Sequence, residues 1–229
     1  MGRGFPSALQ HLLHCGIRPD VVYDVGAAVG TPWLYAAFPQ AHFVLVEPLP
    51  QHLELLRPLA QTLDAEVHAC AAGAVEGNCT LLRYARSSRS SLHPPTRIEQ
   101  ELAAHRGVSL QATAIEVPML PLDRLYRPGN AVLKIDVEGA ERAVLDGATR
   151  VLGQVQLLII ELSIYPRTEG EASFAEMIGE LDARGFRLFD IAELSYPIPE
   201  RELAYLDALF VPHRLDPTGA WLANRAGTA

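Results

Sequence analysis

The sequence predicts an α/β fold built on a parallel sheet, and three observations lead to this class. Short apolar segments of strand length alternate with segments of helical periodicity from Val21 onward, an order that produces parallel sheets with right-handed crossovers. A glycine turn, Gly26–Gly30, follows the first strand directly, and a later strand, Ala131–Val137, carries charged residues up to its carboxyl end. The length of 229 residues predicts one domain, which we place over residues 1–212.

The first part of this domain follows the alternation closely. Apolar residues at helical spacing, with a stop at Gly16, predict a cover helix over Phe5–Cys15. Pro58 is expected to kink or end its helix early, because proline cannot donate a backbone hydrogen bond. The remaining predicted elements are strands at Val21–Val25, His42–Val46 and Val67–Ala72, and helices from Pro32 to about Phe38 and from Leu49 onward.

Residues 73–120 interrupt this order. The short segments Leu81–Tyr84 and Ile115–Val117 and the amphipathic Ile98–His105 do not resemble another strand–helix unit. We therefore predict an inserted hairpin or lid at about residues 77–118.

The alternation resumes with a turn of helix predicted at Pro121–Leu125. The final strand is expected to pair antiparallel at the sheet edge, and a polar tail occupies residues 213–229. The predicted elements of this half are strands at Ala131–Val137, Val155–Glu161, Phe186–Ile191 and Tyr205–Val211, and helices at Gly139–Leu152 and Phe174–Ala183.

The composition of the chain indicates a globular protein and argues against nucleic-acid or membrane binding. Apolar residues make up 49% and charged residues 20% of the chain, which is typical of a folded globular protein. The net charge of −8 gives no electrostatic attraction for nucleic acid. No segment approaches the roughly 20 apolar residues of a membrane span. Three cysteines without a CxxC spacing indicate reduced thiols, so we expect a cytoplasmic protein without nucleic-acid or membrane partners.

The first strand and its turn predict a nucleotide-like ligand. Gly26 and Gly30 allow backbone N–H groups to approach a ligand closely. Glu47 ends the second strand 21 residues after Gly26, where an acid can accept hydrogen bonds from both ribose hydroxyls. A nicotinamide dehydrogenase would use the same arrangement, and so would a catalytically silent binding module. The pattern alone is also compatible with an ordinary turn beside an incidental acid.

The segment Lys134–Glu141 predicts a second part of the site. Lys134 and Asp136 fall within the strand, where burial is costly unless the charges pair or face a ligand. Glu138 and Glu141 follow at the strand end, which indicates a site that handles cations or protons. An alternative is that these two glutamates only stabilise the positive end of the next helix.

Four motifs together resemble the FkbM family of methyltransferases. The likeness extends over about residues 20–212, and residues 134–141 are its most specific part. Ala28 departs from the family pattern, which usually has asparagine there, so a side-chain contact is expected to be absent. The motifs are Tyr-Asp-Val-Gly-Ala-Ala-Val-Gly at 23–30, Val-Glu-Pro-Leu-Pro at 46–50, Pro-Leu-Asp-Arg-Leu at 121–125, and Leu-Lys-Ile-Asp-Val-Glu-Gly-Ala-Glu at 133–141.

The resemblance implies a class I methyltransferase, Rossmann-like fold with a seven-stranded, mostly parallel sheet, an antiparallel edge strand and helices on both faces. It implies S-adenosyl-L-methionine as the cofactor, with its methionine part at Gly26, its ribose at Glu47 and its adenine at Ala71 and Ala72. The implied cofactor-binding residues are Asp24, Gly26, Ala27, Gly30, Glu47, Pro48, Ala71, Ala72 and Asp136.

The family also implies O-methylation of a small-molecule hydroxyl in natural-product, sugar or glycan tailoring. N-methylation and carboxyl methylation stay open. We predict that Asp136 and Glu138 organise the catalytic site and that His93 is the base. A magnesium ion on Asp136, Glu138 and Glu161 is a chemically sensible alternative. The sequence Glu161-Leu-Ser lacks the Asp-Asn pair of magnesium-dependent catechol-type methyltransferases, so we expect no metal.

Basic residues in the insertion predict an anionic small-molecule acceptor. Arg83, Arg86, Arg89 and Arg97 lie close together in sequence around Tyr84. A homodimer is compatible with the sequence. The expected acceptor-binding residues are Arg86, Arg89, Ser90, Ser91 and Glu161, and the segment Ser90-Ser91-Leu92 also resembles a family element.

Overall fold

Two sheets organise the protein in the computed structural model, which describes residues 4–85, 89–196 and 202–215. The strands are β1 Val21–Val25, β2 His42–Val46, β3 Ala65–His68, β4 Ala71–Ala72, β5 Gly77–Tyr84, β6 Ala112–Leu120, β7 Ala131–Ile135, β8 Val155–Ser163, β9 Phe186–Ser195 and β10 Tyr205–Pro212. The helices are α1 Phe5–His14, α2 Pro32–Ala37, α3 Pro50–Ala60, α4 Arg97–His105, α5 Glu141–Asp146, α6 Thr149–Leu152 and α7 Phe174–Ala183, with a 3-10 turn at Leu122–Leu125.

The larger sheet has seven strands in the order β3-β2-β1-β7-β8-β10-β9. Neighbours from β3 to β8 are parallel, whereas β10 is antiparallel to both β8 and β9. The predicted seven-stranded, mostly parallel α/β sheet is confirmed. Its antiparallel strand lies one position inside the edge, because Leu209 and Phe210 of β10 are buried between β8 and β9.

Helices cover both faces of this sheet, as predicted. Alternate side chains of β1 enter two separate cores. Val22 packs in a cluster with Leu9 of α1 and Leu34 of α2, whereas Tyr23 packs in a cluster with Val144 of α5 and Leu181 of α7. Because the strands are buried on both faces, the carboxyl ends of β1, β2 and β7 are where a ligand can reach the sheet.

The predicted third strand, Val67–Ala72, is wrong as a single element. Residues Ala65–His68 pair with β2 in the larger sheet, whereas Ala71–Ala72 pair with β6 in a smaller, three-stranded sheet. A tight turn separates the two parts, with the Cys70 N–H donating to the His68 carbonyl at 3.0 Å. Uniform apolarity concealed this turn.

The predicted helix Gly139–Leu152 is divided into α5 and α6. A Cβ at Gly147 would lie 2.1 Å from the Gly73 carbonyl oxygen, so the chain approaches the smaller sheet too closely for a side chain. Asp123 accepts hydrogen bonds from the N–H groups of Arg150 and Val151, at 2.9 and 3.0 Å, and thereby starts α6. The turn of helix predicted around Asp123 is confirmed.

Pro58 was expected to kink its helix or to end it early. It lies inside α3, which continues to Ala60, so the helix does not end at Pro58. Pro58 is close to the carboxyl end of that helix, so its missing N–H removes one hydrogen bond and only two helical residues follow it. In the insertion, β5 and β6 form an antiparallel pair and α4 lies in their connection. The predicted polar tail lies outside the described residues from position 216 onward.

Two further sequence predictions can be compared with the described residues. No helix among residues 4–85, 89–196 and 202–215 is long and apolar enough to cross a membrane. The three cysteines are free, with Cys15 and Cys70 buried and Cys79 half-buried. Burial, and to a smaller extent Cys79, raise the pKa of the Cys70 thiol to about 11, so Cys70 behaves as an apolar residue.

Candidate active site

The glycine turn brings the ends of β1 and β7 into direct contact. Gly26 has a φ of 75°, and a Cβ there would lie 1.8 Å from the Asp136 carbonyl oxygen. The Asp136 N–H donates to the Val25 carbonyl at 3.1 Å. Only glycine can occupy this position without moving one strand end, so the two motifs recognised in the sequence form one site.

Glu47 is fixed by hydrogen bonds on both carboxylate oxygens. Oε2 accepts from the Ala28 N–H and Oε1 from the Leu49 N–H, both at 2.8 Å. The Nδ1 atom of His52 lies 3.1 Å from Oε1, a neighbour that the sequence did not predict. Glu47 is 4% exposed. Its remaining lone pairs can accept hydrogen bonds from a diol, which is the geometry expected for a ribose.

Ala28 adopts the left-handed backbone conformation, with a φ of 47°. Asparagine tolerates this region better than alanine does. The departure from the family pattern therefore has a backbone consequence as well as the absent side-chain contact predicted above. The hydrogen bond from the Ala28 N–H to Glu47 holds the turn in this conformation.

Lys134 forms a buried ion cluster behind the turn, as the sequence predicted for paired charges. Its Nζ lies 3.2 Å from Asp24 Oδ1, 3.4 Å from Asp136 Oδ2 and 3.3 Å from the Gly26 carbonyl. The Tyr35 hydroxyl donates to the other Asp24 oxygen at 2.6 Å. Although burial opposes the charge, the two carboxylates raise the Lys134 pKa above its usual value. This cluster supports the backbone of the site.

A cleft opens at these strand ends, with about 700 Å³ of empty space including its mouth. Six of the nine predicted cofactor residues line it, whereas Asp24, Ala27 and Gly30 do not. The lining residues used here are Gly26, Ala28, Glu47, Pro48, Leu49, His52, Cys70, Ala71, Ala72, Ser90, Leu92, Asp136 and Glu138.

The cleft fits the predicted cofactor. Its carboxylate Glu47 suits a ribose, its closely approachable turn at Gly26 suits a polar chain, and its apolar wall at Ala71 and Ala72 suits a flat base. Ser90 adds a buried hydroxyl oxygen that has no hydrogen-bond partner within the described ranges.

Three carboxylates meet beside this cleft. Asp136, Glu138 and Glu161 each place an oxygen within 4.8 Å of the others. Arg167 already pairs with two of them: its Nη1 lies 3.2 Å from Glu138 Oε2, and its Nη2 donates to Glu161 Oε1. This arrangement does not fit a magnesium ion, because the guanidinium competes for the same ligands and repels a second cation. The metal alternative raised from the sequence therefore lacks support.

Arg167 was missed by sequence reasoning, since it lies in a polar segment after β8 without a recognisable motif. It is 6% exposed. Its Nε donates to Ser163 Oγ at 2.9 Å, and its guanidinium lies 4.4 Å from the centre of the Tyr205 ring. All three guanidinium nitrogens therefore have protein partners.

Burial shifts the acids of this cluster toward the protonated state. It raises the pKa of Glu161 to about 7, with a further contribution from Asp136 and opposition from Arg167. It also raises the pKa of Glu138, again opposed by Arg167. Asp207, opposite Glu161 in the strand register, has a pKa raised to about 8 by burial and by Glu161. Such groups can exchange protons near neutral pH.

Glu138 has a constrained backbone at the entrance to a second pocket. Its φ of 56° lies in the left-handed region, and its carbonyl accepts a hydrogen bond from Ser91 Oγ at 2.6 Å. The second pocket has about 440 Å³ of empty space. Glu138 is the one described residue that lines both cavities. The second pocket is lined by Tyr84, Arg89, Ser91, Pro95, Glu99, Val108, Ser109, Leu110, Glu138, Arg167 and Thr168.

The insertion forms one wall of the second pocket and the segment after β8 forms the other. Backbone hydrogen bonds join them, from Thr96 N–H to the Arg167 carbonyl at 2.9 Å and from Glu169 N–H to the Pro94 carbonyl at 2.8 Å. Residues more than 70 positions apart in sequence thus enclose the same space, and no local pattern could have predicted it.

The predicted acceptor residues are dispersed. Arg89 and Ser91 line the second pocket, whereas Ser90 lines the first and Glu161 lies behind both linings. His93 lines neither cavity, although its N–H donates to Ser91 Oγ at 3.1 Å.

The predicted basic patch does not form on the described residues. Arg83 is exposed, and Arg97 is 87% exposed with Glu101 as its ion-pair partner. Arg86 lies outside the described residues. Arg89 alone of the four brings its charge to the second pocket.

Comparisons with known proteins agree with this geometry. Hexuronic acid methyltransferase AglP of Haloferax volcanii is 27% identical over 166 residues, which cover 70% of this chain and 63% of that protein. The chain thus spans less than two thirds of that relative. The crystal structure of methyltransferase FkbM from Methylobacillus flagellatus KT has a TM-score of 0.52 at 17% identity, covering 82% of this chain and 43% of that one. This likeness shows the fold.

The sequence model of the Methyltransferase FkbM domain matches residues 24–188, most of the chain. The match begins at the buried Asp24 and includes the glycine turn, Glu47, the insertion and the carboxylate cluster. The chain therefore belongs to the FkbM family of methyltransferases.

Proposed function

We propose that the protein is an S-adenosylmethionine-dependent methyltransferase that methylates a hydroxyl of a small molecule held in the second pocket. The position of Glu138 carries this proposal. A group transferred from one cavity to the other must pass the place where they meet, and Glu138 is the described residue that lines both.

The first cavity would hold the cofactor, which when bound would supply an electrophilic methyl group by cleavage of its sulfur–methyl bond and would leave as S-adenosylhomocysteine. Glu47 would accept hydrogen bonds from the ribose, and the backbone around Gly26 would approach the methionine part. Ala71 and Ala72 would contact the adenine. Lys134 and Asp24 keep the strand ends in place and make no contact with the cleft. The protein's contribution is placement, which can supply roughly 7–11 kcal/mol in a two-substrate reaction.

Glu138 would accept the proton of the acceptor hydroxyl as the oxygen–methyl bond forms. Burial raises its pKa, which strengthens its carboxylate as a base. Arg167 opposes this shift through its positive charge, and a general base must be ionised to accept the proton. This assignment replaces His93, which lines neither cavity.

The relative from Haloferax volcanii is named for a hexuronic acid, and this supports a sugar-like acceptor here. The second pocket offers hydroxyl groups from Tyr84, Ser109 and Thr168. Such groups suit a polyhydroxylated molecule, because they both donate and accept hydrogen bonds.

The proposal is tested by titrating the protein with S-adenosylmethionine and then screening sugars and sugar acids for a methylated product by mass spectrometry. Glu138→Gln is expected to lower kcat about 100- to 10,000-fold and to leave the cofactor Kd unchanged. The exposed Glu193→Gln is the matched control and should retain wild-type kcat. Full activity of Glu138→Gln, or absence of cofactor binding to the wild-type protein, would contradict the proposal.

A further inference from the structure

The second pocket contains one cation with unused hydrogen-bond donors. Arg89 donates from Nη2 to Glu99, the single polar partner recorded for its side chain within the described ranges. A guanidinium has five N–H donors, and the Arg89 side chain is 21% exposed. Arg167 also lines the pocket, but all three of its guanidinium nitrogens are engaged. Arg89 is therefore the arginine that can receive a ligand.

We infer that Arg89 binds a carboxylate of the acceptor, so that the methylated molecule is a hydroxy acid. This inference rests on the proposed function and adds to it the substrate class and the residue that selects it. Arg89 and Glu138 line the same pocket. A molecule with a carboxylate at one end and a hydroxyl at the other can contact both residues at once.

The charges of the pocket favour a carboxylate over a phosphate. Arg89 is accompanied by the buried acid Glu99 and the half-buried acid Glu138, and Arg167 is neutralised by its own partners. A phosphate dianion would face more negative charge than the one available guanidinium compensates. A carboxylate carries a single charge and matches the planar fork of arginine in a bidentate geometry.

The pocket is also built before any ligand arrives. Tyr84 is buried beside this ion pair, where burial and the charge of Glu99 raise the pKa of its hydroxyl and the charge of Arg89 lowers it. The wall that carries Arg89 is joined to Glu138 through the hydrogen bond from Ser91 Oγ. Such preorganisation reduces the entropy lost when an acceptor is bound.

The test compares D-glucuronate with its neutral isostere D-glucuronamide by calorimetric titration of protein saturated with S-adenosylhomocysteine. The wild-type protein should bind the acid about 10- to 100-fold more tightly, the range of one charge-assisted hydrogen-bonding contact. In Arg89→Gln this preference should disappear. Arg97→Gln is the matched control, because Arg97 belongs to the same insertion, is exposed and does not line the pocket.

Arg89→Gln leaves the buried Glu99 without its partner, so a lost preference in this variant could also result from misfolding. A second variant separates the two explanations. Arg89→Gln combined with Glu99→Gln keeps a neutral pair there and should also lose the preference. Glu99→Gln alone should bind the acid more tightly than wild type, because Arg89 then has no competing carboxylate.

The inference would be overturned if the wild-type protein bound the two probes equally, if it bound neither, or if the preference survived in the double variant. If S-adenosylhomocysteine still binds, any of these results leaves the proposed function intact. Failure of S-adenosylhomocysteine to bind would instead contradict the proposed function itself. A base-labile methyl ester as product would overturn the orientation inferred here, since the carboxylate would then face the methyl group.

Discussion

The two cavities of this protein are constructed in different ways. The first lies at the ends of β1, β2 and β7, and many of the residues that line it belong to short contiguous motifs. The second is formed by side chains of the insertion and of the segment after β8, joined by ion pairs and by backbone hydrogen bonds. From this difference we expect that backbone geometry governs the affinity for the proposed cofactor, whereas buried charge governs binding of the proposed acceptor.

The largest expected effect comes from Gly26→Ala, which tests whether backbone geometry governs the first cavity. The new Cβ would lie 1.8 Å from the Asp136 carbonyl oxygen, so one strand end must move. We expect cofactor affinity to fall by at least about 100-fold, as measured by calorimetric titration. Gly179→Ala is the control, because a Cβ there meets nothing within 4 Å and should leave affinity unchanged. If Gly26→Ala bound the cofactor with wild-type affinity, backbone geometry would not govern binding in the first cavity.

The next effect concerns buried charge near the second cavity. Arg167→Gln leaves Glu138 and Glu161 without their cation, which should lower the free energy of unfolding by about 3–5 kcal/mol at about pH 8. The Glu161 pKa is already raised to about 7 by burial. The folded state therefore binds a proton more tightly than the unfolded state, and stability falls as the pH rises through 7. At about pH 5.5 both acids can protonate, so the loss should be smaller.

Urea unfolding at the two pH values measures this difference. Arg142→Gln provides the control, because its ion pair with Glu180 lies at the surface and should contribute at most about 1 kcal/mol. A loss that is the same at both pH values would show that Arg167 stabilises the fold through packing rather than through the charge of the two glutamates.

The smallest expected effect concerns the backbone of the turn at Ala28, beside the first cavity. Ala28→Asn places a residue that tolerates the left-handed region where alanine now has a φ of 47°. We expect the free energy of unfolding to rise by about 0.5–1 kcal/mol, as measured by thermal unfolding. A lower melting temperature would mean that this turn is not strained.

The sequence predicted the fold well, and six of the nine residues that it predicted for the cofactor line one cleft, because both depend on local patterns. Apolar strands, the glycine turn and the acid Glu47 occur in short segments with fixed spacing. For the charged strand around Lys134, the sequence left open whether the charges pair or face a ligand, and the structure shows that Lys134 pairs with Asp24 and Asp136.

The sequence predicted the second cavity poorly, because its residues come together only through the tertiary fold. Arg167 gives no periodic or motif signal, yet it neutralises two acids that suggested a metal site. His93 was predicted as the base because histidine can exchange a proton near neutral pH and because this residue lies in the insertion, but it lines neither cavity. The split of the predicted strand Val67–Ala72 had a similar cause, since the small sheet that takes its second half is built from residues of the distant insertion.

The hydrogen bonds between Thr96 and Arg167 and between Pro94 and Glu169 have a consequence for the diversification of this family. Since they hold two separate stretches of chain against each other, we expect the choice of the proposed acceptor to depend on both stretches together. If only the insertion were replaced by that of a relative, it would no longer match the segment after β8. The second pocket would then lose the wall that carries Arg167. New specificities should therefore arise by exchanging both stretches together.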